Sequence, residues 1–109
     1  MEPIKELSDR LKDYGCDDKN CIVTREEHLT VTPMKLFETL VKIGVILEEI
    51  EKGTTYIVSV KAGFLNMNTA VIVLNYQDDR LFLAGYAPEG IINQHTSEKA
   101  IGKVVDGLK

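Results

Sequence analysis

The chain is short of the residues that most site chemistry needs. It has 2 cysteines and 2 histidines among 109 residues. Two cysteines are too few for the disulfide scaffold of a small secreted protein. Cys16 and Cys21 flank a polar loop, Asp17-Asp18-Lys19-Asn20, which can bring them together, although free thiols are the expected state. A zinc site takes four ligands, and His28 and His95 lie at no zinc-like spacing from that pair or from each other, so neither a metal nor an organic cofactor is expected. No segment approaches the run of about eighteen apolar residues that a membrane helix requires. The start, Met1-Glu2-Pro3, lacks the basic region and apolar stretch of a secretion signal, which makes the cytoplasm the expected setting. Basic residues are outnumbered, 13 against 17 acidic, leaving a net charge of −4. Such a surface repels phosphate, so nucleic acid and anionic lipid are not expected partners. There is no glycine-rich phosphate loop, internal repeat, low-complexity run or linker.

What is present is ordinary globular composition, 44% apolar and 28% charged. The length suits one domain spanning residues 1–109, and a chain of this size buries about two thirds of its unfolded surface without staples. Pro3 at a first helical position and Gly15 just past an end bracket a helix whose apolar residues Ile4, Leu7, Leu11 and Tyr14 recur at helical spacing. Residues 21–24 and 28–31 read as short β segments around Arg25-Glu26-Glu27, while Thr24 with Glu27 also fits the capping box of a brief helical turn. Thr32 as N-cap, Pro33 at N1 and Gly44 as the stop define a central helix over 33–43, with a broad apolar face of Leu36, Phe37, Leu40, Val41 and Ile43. The segment 96–108 predicts a C-terminal helix with Ile101, Val104, Val105 and Leu108 on its apolar stripe. Gly102 lies inside it, which suggests a close packing contact there.

Between the last two helices, residues 45–87 carry four strands. The strands 45–50 and 55–62 are joined by a turn at Gly53; 69–76 and 80–87 are joined by Asp78-Asp79. In 55–62, Tyr56, Val58, Val60 and Ala62 point one way, and Thr55, Ile57, Ser59 and Lys61 make a mostly wet face. The later two strands are apolar on both faces, and such strands are covered on both sides. Two helices can cover one face; the other takes either the first helix or a second copy, which makes a homodimer or protein-binding face an expectation. The fold class is α+β: an antiparallel sheet of four to six strands, a meander over 45–87, with three helices. A pocket between sheet and last helix would be lined by Tyr56, Val58, Ile72, Leu74, Leu83 and Val104, although packing without a cavity is the expected state.

An antiparallel meander places the loop 63–68 and the loop 88–95 on one rim. Loops held by a rigid sheet concentrate binding groups, so Phe64, Met67, Asn68, Asn93 and His95 form the candidate contact surface, apolar anchors among amides. The alternative has Phe64 and Met67 tucked into the core, the asparagines bonding their own backbone, and Asn93, Thr96 or Ser97 capping the last helix. A small binding or interaction module, self-associating and with a possible small ligand, asks least of these residues. An enzyme would need Cys16 or Cys21 as nucleophile, His28 or His95 as base and Glu89 or an aspartate as orienter, brought together in space. Residues 32–62, less than a third of the chain, offer a third class: a capped helix followed by a hairpin, which resembles the recognition helix and wing of the winged-helix family. That resemblance implies a DNA-binding regulator.

Overall fold

Three helices and five strands follow one another in a computed structural model that describes residues 3–16, 22–51, 53–62, 68–87 and 95–109. The order is α1 (Pro3–Arg10) with a 3-10 turn (Leu11–Tyr14), β1 (Val23–His28), α2 (Pro33–Ile43), β2 (Val45–Glu51), β3 (Thr55–Ala62), β4 (Asn68–Gln77), β5 (Arg80–Tyr86) and α3 (Thr96–Leu108). Local chemistry explains most of the boundaries. The Thr32 hydroxyl accepts from the Lys35 N–H at 3.1 Å, and the Gly44 N–H donates to the Leu40 carbonyl at 3.0 Å, so both ends of α2 are satisfied. Gly15, at φ 94°, closes the 3-10 turn in the left-handed region that glycine reaches without strain. Asp78 and Asp79 have φ of 53° and 60°, the two positive values that a type I′ hairpin turn demands.

The strands form one antiparallel sheet in the order β1-β5-β4-β3-β2, which is an α+β fold. The meander expected over 45–87 is present. The two short strands expected at 21–24 and 28–31 are not: β1 is one strand through Arg25-Glu26-Glu27, paired with β5 from Val23↔Gly85 to His28↔Arg80. Pairing along its whole length overrides the local turn preference, and Arg25 Nε donates to Glu27 Oε1 at 2.7 Å, two residues on, as side chains on one face of a strand can.

Helices cover both faces of the sheet. On the front, α2 and α3 pack Leu36, Leu40, Ile101 and Val104 against Tyr56, Val58, Ile72, Leu74 and Leu83, so the residues of the supposed pocket are packed core. On the back, Leu7, Leu11 and Cys16 cover Ile57, Val73, Phe82 and Ala84. Two expectations change as a result. Ile57 is fully buried rather than on a wet face, because α1 lies over it. The doubly apolar strands are covered within a single chain, so they call for no second copy. The close approach expected at Gly102 is absent, since a Cβ there would meet nothing within 4 Å. Gly107 is the tight position, where a Cβ would come within 2.9 Å of Thr39 Cγ2 and push α2 from α3. Among the described residues no helix is long and apolar enough to cross a membrane.

Candidate functional site

Three places in this fold compare as sites: the loop rim, the end bearing the Asp78-Asp79 turn, and the flank formed by α2 and β2.

At the rim, Phe64, Met67 and Asn93 lie outside the described residues. Asn68 opens β4, and its Nδ2 donates to Thr96 Oγ1 at 3.1 Å, tying the first residue of β4 to the first of α3. Its Oδ1 accepts from the Thr69 N–H at 2.9 Å, the local bond expected of an asparagine in a turn. His95 is exposed, with φ 53°, and its Nδ1 lies 3.0 Å from Glu98 Oε2. It holds the N-cap position of α3 without a side-chain capping bond, while Thr96 and Ser97 are buried in the first turn. Neither Thr96 nor Ser97 is therefore the cap, and Thr96 instead receives the Asn68 amide. Asn68 is thereby tied to the start of α3, one residue along from His95.

At the opposite end, Gln77, Asp78, Arg80 and Phe82 line an open recess of about 400 Å³. Asn75 faces Phe82 across the β4–β5 pair; its Nδ2 donates to Thr55 Oγ1 at 2.8 Å, and its buried Oδ1 has no hydrogen-bond partner among the described residues. Among its described lining the recess offers a cation, a carboxylate and one amide, but no nucleophile held by a base.

The third place is not among the sites expected from the sequence. The five large apolar side chains exposed among the described residues all fall within residues 34–47: Met34 71%, Phe37 44%, Val41 54%, Val45 62% and Leu47 41%. An α-helix turns about 100° per residue, which puts Met34, Phe37 and Val41 within about 60° of one another. Leu36, Thr39, Leu40 and Ile43 occupy the adjoining arc and face the core and α3. Lys35, Glu38 and Lys42 take the remaining, solvent side. Pro33 abuts Gly53 at one end and Gly44 abuts the Ser59 carbonyl at the other, so α2 runs back along β2 with its apolar flank away from α3. Phe37 leans on Tyr56 of β3, ring centroids 6.3 Å apart and tilted by 45°.

Beside that flank runs an outer strand. β2 ends the strand order, so its outer backbone groups face no strand among the described residues. Its pairing with β3 slips at Leu47 and again at Ile50, two bulges that bend the edge. Register puts Glu49 on the front, opposite Tyr56, and Glu48 and Glu51 on the back, opposite Ile57 and Thr55. The Tyr14 hydroxyl, from the 3-10 turn, donates to Glu48 Oε2. That bond, then partial burial, then the charges of Glu48 and Asp13 push the phenol up to about 12.

Among the described residues, the candidate catalytic side chains lie in separate places. Cys16 is buried in the back-face core, His28 is exposed on β1 and His95 on the α3 rim; Cys21 and Glu89 lie outside the described residues. A signal for the α2 flank was present in the sequence: apolar residues at 34, 37 and 41 form a second stripe beside 36, 40 and 43, more than one covered face can use. Comparison with known proteins returned no match to any family model, curated protein or solved structure.

Proposed function

We propose that this chain is a protein-interaction module of the cytoplasm whose contact surface is the apolar flank of α2 together with the outer edge of β2. The observation that carries the reading is the confinement of every exposed large apolar side chain among the described residues to positions 34–47. Single exposed apolar residues are normal on a protein surface; a group of them along one helix flank and the strand beside it is what a contact site requires. An outer strand adds unpaired backbone donors and acceptors, the second half of a strand-addition site. The winged-helix alternative is poorly served by the same surface. Its helix presents Met34, Phe37 and Val41 outward, and its hairpin carries Glu48, Glu49 and Glu51 where phosphates would lie.

A photo-crosslinking residue at Leu47, compared with one at Glu26 on β1, tests the reading in cells. Adducts with one protein, or with a second copy of the chain, are expected from position 47 and not from 26, and Phe37→Ser with Val41→Ser should remove them. Equal adducts from both edges would end the reading.

The rim keeps a second reading because of the Asn68–Thr96 bond, which supports a contact surface of Phe64, Met67, Asn68, Asn93 and His95. Replacing Phe64 and Met67 by serine would then abolish capture and leave folding intact; unfolding of that variant would make them core residues instead.

A further inference from the structure

Resting on the interaction reading above, we infer that the occupant of the α2–β2 surface is a short extended segment in which apolar and basic residues alternate, added to the outer edge of β2. The argument comes from the two faces of that edge. Side chains of an added strand alternate between front and back. Those on the front enter the space beside the α2 flank, where Met34, Phe37 and Val41 are exposed. Those on the back meet Val45 at the start of the strand and then Glu48 and Glu51, with the Tyr14–Glu48 bond drawing the 3-10 turn and Asp13 to the same side. Glu49 stands on the front opposite Tyr56, a single acidic position on the otherwise apolar side. The complement of such an edge has period two, mainly apolar on the front and mainly cationic on the back.

The same charges disfavour a second copy. Two β2 edges brought together carry six glutamates between them from positions 48, 49 and 51, and each chain already bears a net charge of −4. Juxtaposed like charges discriminate against a partner more strongly than a rim ion pair attracts one. The bulges at Leu47 and Ile50 act in the same direction, because they leave only short stretches of regular edge. A long flat strand finds no seat there; a short basic one does.

The probe is a synthetic peptide of about eight residues, the usual reach of a strand, alternating leucine and lysine. Its companions are a leucine–glutamate peptide and a lysine–leucine peptide of equal composition with the two residue types in separate blocks. Binding to the full chain is followed by amide chemical shifts and by fluorescence anisotropy. The alternating leucine–lysine peptide is expected to shift amides within 34–51 and to bind at least about tenfold more tightly than either companion. Glu48→Lys with Glu51→Lys should reverse the preference toward the leucine–glutamate peptide. Equal binding of the two alternating peptides, or shifts centred elsewhere, overturns the inference. The Phe37→Ser, Val41→Ser variant then separates the layers: if it loses both peptides, the interaction surface stands and only the partner's chemistry is wrong, and if it keeps both, the surface falls too. A concentration-dependent dimer whose β2 amides are protected from exchange would make a second copy the occupant and overturn the inference while leaving the interaction reading in place.

Discussion

The sheet has two outer strands, and they are protected in different ways. On β1, exposed positions alternate strictly with half-buried ones, and the exposed side chains are Thr24, Glu26 and His28. Among the described residues, no large apolar side chain is exposed on that edge. On β2 the exposed set mixes Val45 and Leu47 with Glu48, Glu49 and Glu51, and the apolar flank of α2 runs alongside. Both strands carry charge, and β2 carries bulges as well, the usual means of blunting an edge. The difference lies in what remains after blunting. Among the described residues β1 exposes no large apolar side chain, whereas β2 keeps exposed Val45 and Leu47 beside its charges. An edge closed to all comers has no need of exposed Met34, Phe37 and Val41.

The largest way to break this comparison is to lift α2 off the strand. A Cβ on Gly44 would lie 2.2 Å from the Ser59 carbonyl oxygen, a backbone atom of β3 that cannot swing aside. Overpacking of this kind costs about 3 kcal/mol, so Gly44→Ala should lower the denaturant midpoint substantially and weaken capture at the β2 edge with it. Next comes a contrast between neighbours. Leu40→Ala empties a fully buried site and should cost about 3 kcal/mol, whereas Val41→Ala, one residue along at 54% exposure, should cost under about 0.5 kcal/mol. Similar losses at the two positions would mean that the flank is core and the contrast between the edges is void.

The β1 side offers a middle-sized test. Tyr76 holds the connection from β1 to α2: its hydroxyl accepts from the Val31 N–H at 3.0 Å, and its one proton faces two acceptors, the Leu29 carbonyl at 3.1 Å and Asp79 Oδ1 at 3.2 Å. Tyr76→Phe should therefore cost about 1 to 2 kcal/mol in chemical denaturation, since it strips partners from half-buried backbone groups. It should leave the β2 surface unaltered, and peptide binding at β2 measured in this variant checks that the two edges behave independently.

How much of this was legible in the sequence follows from which forces are local. The α2 boundaries were readable because Thr32, Pro33 and Gly44 carry their own hydrogen-bonding instructions, and the β3, β4 and β5 alternation because the faces repeat every second residue. β1 was misread because its single strand is imposed by β5, a partner more than fifty residues away in the chain. Ile57 was assigned to a wet face because one strand's alternation cannot reveal that a helix from the other end of the chain lies over it. The apolar residues of α2 were read as one broad face. Dividing them into Leu36 and Leu40 inside, Phe37 and Val41 outside, required knowing that α3 takes one flank and that the other borders the sheet's end. Of the rim, the meeting of Asn68 with the start of α3 followed from the meander; the bond to Thr96 did not.

The smallest effect tests the electrostatics of β2 most directly. Tyr14 donates its phenolic proton to Glu48, which holds the phenol at about 12 against an ordinary 10.0. A group whose proton is held more tightly in the folded state stabilises that state fully below the unfolded value and loses the contribution as pH rises through the folded one. The bond's contribution is therefore intact below pH 10 and disappears on the way to 12. Because the pair is largely exposed, solvent and salt screen it, and the stability change should be small. The titration itself is the better readout. Phenolate absorbance should place one tyrosine above the free value, and Glu48→Gln should bring it back toward 10.0 by removing both the acceptor's charge and its repulsion of the phenolate. A bound basic segment competes for the same carboxylate, so the Tyr14 titration should fall when an alternating leucine–arginine peptide, still cationic in this pH range, is added and stay where it is when the companion carries glutamate. A Tyr14 titration that ignores both peptides would mean that Glu48 lies outside the contact, and the acidic edge of β2 would then be protection alone.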